Sequence, residues 1–175
     1  MRDLAPDLED FMDTDFDSAA LRRAYSCFPS GVSALTAICD GRPICIVASS
    51  LTSVSLDPPL LGVCMTTGSK RWQLLRHAPT LGVSFLSSRH TRICRQLAGP
   101  TDVQFDGVDW QAAESGAVFI AGAAAQFECE IHSVQSGGDH EFVLLAVRKL
   151  SADPTIDPLV FHASRFHSLA PAQRP

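Results

Sequence analysis

With 175 residues, a net charge of −5 and 46% hydrophobic side chains, the chain carries enough apolar material for one compact domain. Two Lys and twelve scattered Arg form no concentrated cationic face, which excludes nucleic acid as a partner. No apolar run approaches the ~20 residues that cross a bilayer, and the acidic start MRDLAPDLEDFMDTDFD is the reverse of a basic targeting signal; a cytoplasmic protein away from membranes is expected.

In chain order, residues 1–18 bear seven acidic side chains and Pro6 and read as a flexible leader. Asp17 or Ser18 caps a short helix, SAALRRAYSCF, whose Leu21, Tyr25 and Phe28 share a face, and Pro29 and Gly31 end it. GVSALTAIC and ICIVA, on either side of DGRP, predict an antiparallel hairpin. LLGVCMT is a third strand, SKRWQLLRH a helix capped by Ser69, TLGVSFLS a fourth strand, and SRHTRICRQLAG a helix ending at Gly99. Residues 100–119 lack a pattern and read as a long surface loop. QFECEIHSV alternates, with Phe127, Cys129 and Ile131 on one side, as in a half-exposed strand. SGGDH turns it into EFVLLAVRKL, and PLVFH adds a last short strand. Short strands joined by turns, with helices as plugs, predict a mainly β fold: an antiparallel barrel, closed or partly closed.

The six cysteines, at 27, 39, 45, 64, 94 and 129, form no C-x-x-C and have no His at zinc-ligand spacing. Most lie in apolar runs and are expected to be reduced, buried small hydrophobes, not disulfides, metal ligands or a nucleophile.

Two stretches have chemical promise. IVASSLTSVSLDPPLLGVC, residues 46–64, gathers Ser49, Ser50, Thr52, Ser53 and Ser55 ahead of Asp57-Pro58-Pro59. Small hydroxylated side chains and free backbone N–H groups can close around a polar planar ligand or a phosphate; the plainer reading is a polar loop whose serines bond their own backbone. TTGSKRW puts Thr66, Thr67, Ser69, Lys70 and Arg71 at a helix start, where N–H groups favour an anion. Its plainer reading is a solvated, charged helix end.

Taken in order, FPSGVSALTA, DGRPICIVASSLTSVSLDPPLL, GDHEFVLLAV and PLVFHASRF resemble the flavin reductase-like family, the small reductase components of two-component flavin-dependent monooxygenases. The resemblance runs from about residue 19 to residue 169 and leaves 170–175 as a tail. It implies an FMN-binding split β-barrel, a homodimer with flavin near the subunit interface, FMN or FAD as cofactor, NADH or NADPH as donor, and a monooxygenase as transient partner.

Carried over by position, the resemblance sets the flavin ring against Pro43, Cys45, Ile46 and Val47, with Ser49 and Ser50 touching it. The phosphate end falls near Ser55 and Ser69, where Lys70 or Arg71 supplies charge, while Cys64, Met65 and Thr66 line the approach. Ser84, where members carry V-N-x-L, joins the cofactor set. Gly138, Asp139 and His140 match the segment beside the nicotinamide, and His140 is expected to orient NAD(P)H over the flavin. His162 matches a position close to the flavin or the dimer partner. The other histidines, 77, 90, 132 and 167, read as structural or solvated, and Trp72 and Trp110 as core residues.

Members commonly read P-x-G-x-T-A-S-S where this chain has Pro43-Ile44-Cys45-Ile46-Val47-Ala48-Ser49-Ser50. Cys for Gly and Val for Thr imply weaker flavin binding or a ring held differently. The expected chemistry is hydride transfer between stacked rings, which requires positioning more than an acid, base or nucleophile. Two alternatives stand beside it: a flavin-retaining oxidoreductase acting on an organic substrate, and a non-catalytic flavin-binding protein.

Overall fold

The computed structural model describes residues 14–169. Most of the acidic leader expected at 1–18, and all of the tail expected at 170–175, lie outside those residues. Helix α1 (Ser18–Ser26) starts where Asp17 accepts a hydrogen bond from the Ala20 N–H at 2.7 Å. None of its residues is buried, and Tyr25 and the following Phe28 are 71% and 79% exposed. Among the described residues, nothing buries the apolar face expected there.

Strands β1 (Ser30–Gly31), β2 (Ser33–Cys39) and β3 (Arg42–Ala48) follow. The β2–β3 hairpin turns on Asp40 and Gly41, at φ 50° and 74°, the left-handed pair that a two-residue turn requires. The serine-rich span holds more order than a loop. Only residues 49–51 bend; Thr52–Leu56 is strand β4, paired with β5 (Pro59–Thr66) across a turn whose Asp57–Pro58 bond is cis.

Helix α2 (Lys70–Leu75), strand β6 (Leu81–Phe85), a 3₁₀ turn at Ser88–His90 and helix α3 (Thr91–Ala98) come next. Residues 100–119 differ from the surface loop expected. They hold a 3₁₀ turn at Thr101–Val103, strand β7 (Trp110–Ala112) and most of β8 (Val118–Ile120), and they bury Gln104, Val108, Ala117 and Val118. Gly82 explains the close packing here, since a Cβ on it would sit 1.9 Å from the Val118 carbonyl oxygen.

The long hairpin of β9 (Ala125–Gly137) and β10 (His140–Ala152) completes the main sheet, and β11 (Val160–His162) pairs with β1 and with β12 (Arg165–His167). β9 is less exposed than its alternation suggests: Glu128, on the polar side, is buried and pairs with Lys149 at 3.2 Å. Among the described residues, seven strands run antiparallel in the order β3-β2-β6-β9-β10-β5-β4. The sheet is not closed, since β3 and β4 are its edges. One core cluster nonetheless joins Ile44 and Ala48 of β3 to Leu61, Val63 and Met65 of β5, with Trp72 and Leu75 of α2, so the sheet curls around a shared interior. A second cluster on the outer face packs Cys45 against Cys94 and Leu97 of α3.

The cysteines divide. Cys45, Cys94 and Cys129 are buried, and burial pushes the Cys94 thiol up to about 11 and Cys129 to about 12. Cys27 and Cys64, expected inside, are exposed.

His90 is a structural residue. Its Nδ1 accepts from the Ser87 N–H at 3.1 Å, which leaves Nε2 to donate to the Ala121 carbonyl at 3.0 Å. Burial holds its pKa below the ordinary 6.5. The unfolded chain therefore takes up this proton first, so the contribution of His90 is full above about pH 6.5 and is lost as the pH falls. Thermal melts from pH 7 to pH 5 are expected to lose up to about 1.4 kcal/mol per pH unit through this group. His90→Asn, which keeps an acceptor for Ser87 but does not titrate, is expected to flatten that slope.

Candidate functional site

Two helices straddle the outer edge of β3. α2 packs on the inner core beside it and α3 on the outer cluster. Ser69 caps α2, accepting from the Trp72 N–H at 3.3 Å, and Trp72 turns inward so that its Nε1 donates to Glu141 at 2.5 Å. Arg76 meets the same carboxylate at 3.3 Å and lies 5.6 Å from the Trp72 ring centre. Arg71 points the other way: it donates to Thr101 Oγ1 at 3.2 Å, to the Ala98 carbonyl at 3.5 Å and to the Gly99 carbonyl. Its charge thus serves the carboxyl end of α3, where the helix dipole is negative. Lys70 is exposed, and no ion pair engages it among the described residues.

Between these walls runs a groove. One section, about 260 Å³, is lined by Ile46, Val47, Ala48, Ser49, Ser50, Cys64, Met65, Thr66, Ser69 and His140. A second, about 370 Å³, shares Ile46, Val47 and Ser69 and adds Lys70, Arg71, Ala98 and Thr101. A third, about 210 Å³ and more apolar, joins at Val47 and Ser49 and is lined by Cys94, Arg95, Phe161 and Phe166.

The backbone of β3 determines what this groove offers. β3 pairs only with β2, and alternate residues of a strand direct N–H and C=O to the same side. The outward side falls on Pro43, Cys45 and Val47. Pro43 has no N–H to present. Cys45 is engaged, because Gln104 Nε2 donates to its carbonyl at 3.0 Å and Gln104 Oε1 accepts from its N–H at 3.4 Å. Val47 comes next along that edge, and its main-chain groups face the groove.

Ser50 holds the far side. Two residues before β4 pairs with β5 at Thr52↔Gly62, its hydroxyl takes both main-chain groups of Cys64, accepting from N–H at 3.1 Å and donating to C=O at 3.2 Å. A side chain thus continues the ladder where the backbone bends away.

At the rim, a two-residue turn, Gly138 at φ 72° and Asp139, joins β9 to β10. Asp139 Oδ1 lies 2.7 Å from His140 Nδ1, and Thr66 Oγ1 lies 3.2 Å from Nε2. The hydrogen bond from His140, and then its charge, hold the Asp139 carboxyl below the usual carboxylate range. An ionised carboxylate only accepts, so Nδ1 carries the proton, and Thr66 Oγ1 is the partner of Nε2. The Asp139 carbonyl also takes the Thr67 N–H and hydroxyl, each at 3.1 Å, which ties the two turns together.

Of the residues singled out from the sequence, Ile46, Val47, Ser49, Ser50, Cys64, Met65, Thr66, Ser69, Lys70, Arg71 and His140 come together on this groove. Others do not line it. The Cys45 side chain is buried in the outer cluster; Ser84 is buried and accepts from the Ile120 N–H at 3.0 Å; Pro43 and Ser55 sit on β3 and β4; Gly138 and Asp139 form the turn behind His140; His162 is on β11, its ring 5.9 Å from that of His167. Ala98, Thr101 and Gln104 were not anticipated, because their side chains have no sequence pattern and only the fold delivers them to β3. A larger depression of about 520 Å³ lies elsewhere, lined by Arg89, His90, Asp109 and Asp157 among others. Its one Arg stands among carboxylates and its His is engaged in structure, so the groove at β3 is the better candidate.

Ser50→Ala leaves both main-chain groups of Cys64 to water. It is expected to cost about 0.5–1.5 kcal/mol in chemical denaturation and to speed amide exchange at Cys64 while leaving the β9–β10 ladder unchanged.

Known proteins resemble this chain in sequence and in fold. The sequence model of the family described as flavin reductase like domain matches residues 25–170. An NADH-dependent FAD reductase of Streptomyces globisporus is 39% identical over 160 residues, 89% of this chain and 87% of that protein. The reductase subunit of a flavin-dependent monooxygenase of Mycobacterium tuberculosis is 29% identical over 162 residues, 91% of this chain and 87% of its own length. A solved structure of the S. globisporus NADH:FAD oxidoreductase, in complex with NAD and FAD fragments, superposes with a TM-score of 0.83 at 39% identity, covering 89% of this chain and 94% of that one.

Proposed function

The chain belongs to the flavin reductase-like family, and from that membership we propose that it is an NAD(P)H-dependent flavin oxidoreductase that reduces FAD or FMN and supplies the reduced flavin to a separate monooxygenase. The observation that carries this reading is the outward main-chain edge at Val47, set in a groove of small and hydroxylated side chains. Both resemblance and composition support the pairing: the S. globisporus relative is named for NADH and FAD, and the mycobacterial one for its monooxygenase.

The groove's chemistry fits a flavin. A planar heterocycle with polar edges calls for donors and acceptors in line along one side and no bulky side chain in its plane. The Val47 main chain, Ala48, Ser49 and Ser50 provide that side, and the Cys45 side chain, buried elsewhere, leaves the groove clear. When bound, the flavin supplies the redox chemistry, a hydride transfer from the nicotinamide between stacked rings. The chain's own residues bind and orient. Ser69 and Lys70, at the open end, suit a phosphate, while Arg71 is anchored to α3 and shapes the wall instead. His140, held at Nδ1 by Asp139, lies at the rim, where Nε2 exchanges its Thr66 partner for a hydrogen bond that orients the nicotinamide. Pro43, Ser55, Ser84 and His162 do not line the groove, and a contact from them is not part of the proposal.

Two broader readings belong with it. The curled but open sheet supports a split barrel, whose gap lies between β3 and β4. The exposed Tyr25 and Phe28 support a homodimer in which a second copy covers them. Composition supports a cytoplasmic location as part of this proposal. Among the described residues no helix is long and apolar enough to cross a membrane.

Steady oxidation of NADH or NADPH, followed by absorbance, is expected only when FAD or FMN is added. Flavin retained tightly with no nicotinamide turnover would contradict the proposal. His140→Ala is expected to slow nicotinamide-dependent reduction roughly tenfold, about one hydrogen bond's worth, with a smaller effect on flavin binding. Equal effects on both would remove its assigned role.

A further inference from the structure

Gln104 is fully buried in a stretch without sequence pattern, and the proposed function gives it no task. Both polar atoms of its side-chain amide are engaged. Oε1 accepts from the Cys45 N–H, while Nε2 donates to the Cys45 carbonyl and to the Leu97 carbonyl in the last turn of α3. The amide imitates one rung of a β ladder on the open side of β3 and, through its second donor, links that rung to the helix.

The same helix end is gripped from elsewhere. Arg71 of α2 takes the Ala98 and Gly99 carbonyls. The two N–H donors of Gln96 Nε2 are shared among the carbonyls of Val103, Gln104 and Asp106, at 3.1, 3.3 and 2.7 Å, which holds the turn from which Gln104 projects. The last turn of α3 is therefore where both helices and the strand edge are fixed together. Ala98, on that turn, lines the groove opposite Val47.

We propose that Gln104 is a positioning residue for the flavin: by clipping β3 to α3 at Cys45, it sets the spacing between the open Val47 edge and the helix wall that faces it. The inference rests on the proposed function for the identity of the ligand. Glu at 104 would keep an acceptor for Cys45 and lose both donors; Leu would leave three buried main-chain groups unsatisfied. An edge strand released at Cys45 frays first at its neighbouring outward residue, Val47.

The test compares Gln104→Leu and Gln104→Glu with the wild-type chain and with Val143→Ala, a core truncation in β10 that lowers stability away from the groove. In flavin-free protein, amide exchange at Cys45, which Gln104 holds, and at Ile46, which pairs with Leu35 of β2, is expected to quicken at least about tenfold in the Gln104 variants, with β9 and β10 unchanged from wild type, in contrast to Val143→Ala. Titration with FAD, followed by fluorescence quenching, is expected to show affinity lower by about tenfold or more, with kcat at saturating flavin and the nicotinamide KM within about twofold of wild type. Affinity of Gln104→Glu is expected to recover in part as the pH is lowered and the carboxyl regains a donor. If Gln104→Leu does not fold, Gln104→Asn, one methylene shorter, replaces it. Wild-type exchange at Cys45 and Ile46 and wild-type affinity in the variants would overturn the inference, and so would an equal loss of affinity in Val143→Ala, which would mark the effect as general destabilisation. Failure of the wild-type chain to bind or reduce flavin would instead overturn the proposed function and the cofactor half of this inference, while the exchange data would still decide whether Gln104 holds the edge.

Discussion

An edge strand exposes N–H and C=O groups that water, another strand or a ligand must satisfy, and the outer side of β3 is where this chain faces that constraint. It meets it residue by residue. Pro43 has no donor to expose, Cys45 is closed by the Gln104 amide, and Val47 is left open to a groove. Beyond it the chain bends through residues 49–51 and re-enters the sheet as the opposite edge, with Ser50 fastened to Cys64. The two edges of the sheet are thus joined by three residues, and the groove lies at the opening between them.

That arrangement suits a reaction whose bond changes occur within the cofactor and the nicotinamide. The ionisable groups near the groove are mostly engaged in holding it. Arg71 binds carbonyls of α3, Glu141 receives Trp72 and Arg76, and Asp139 orients His140. Lys70 is left exposed with capacity for a ligand as a cation, and His140, at the rim, can take a ligand by exchanging the Thr66 hydroxyl at Nε2. The buried cysteines, with thiols pushed up by desolvation, are packing residues.

Much of the secondary structure was legible because its signals are local. Asp40-Gly41 must turn, Asp17 and Ser69 can cap, and the β6 and β10 runs are apolar over the length of a strand. The failures were non-local. β4 looked like a serine loop because an exposed edge strand needs no apolar face, and only its pairing with β5 identifies it. Residues 100–119 looked featureless, yet Gln104 and Val118 are buried by contacts with β3 and β6 that no spacing encodes. At the site, residues in continuous runs, 46–50, 64–66 and 69–71, reached the groove together, since neighbouring runs of a sheet and helix start share a surface. Isolated positions fared differently: Ser84 was drawn into the core by the Ile120 N–H, and His162 went to a separate small sheet.

The claim that the open edge of β3 receives the cofactor is tested most directly by a crystal structure of the protein with FAD bound. The account predicts the flavin ring in the groove between β3 and Cys64, with a polar ring-edge atom about 3 Å from the Val47 main chain. A ring bound elsewhere, or a Val47 edge that stays solvated beside a bound flavin, would contradict it.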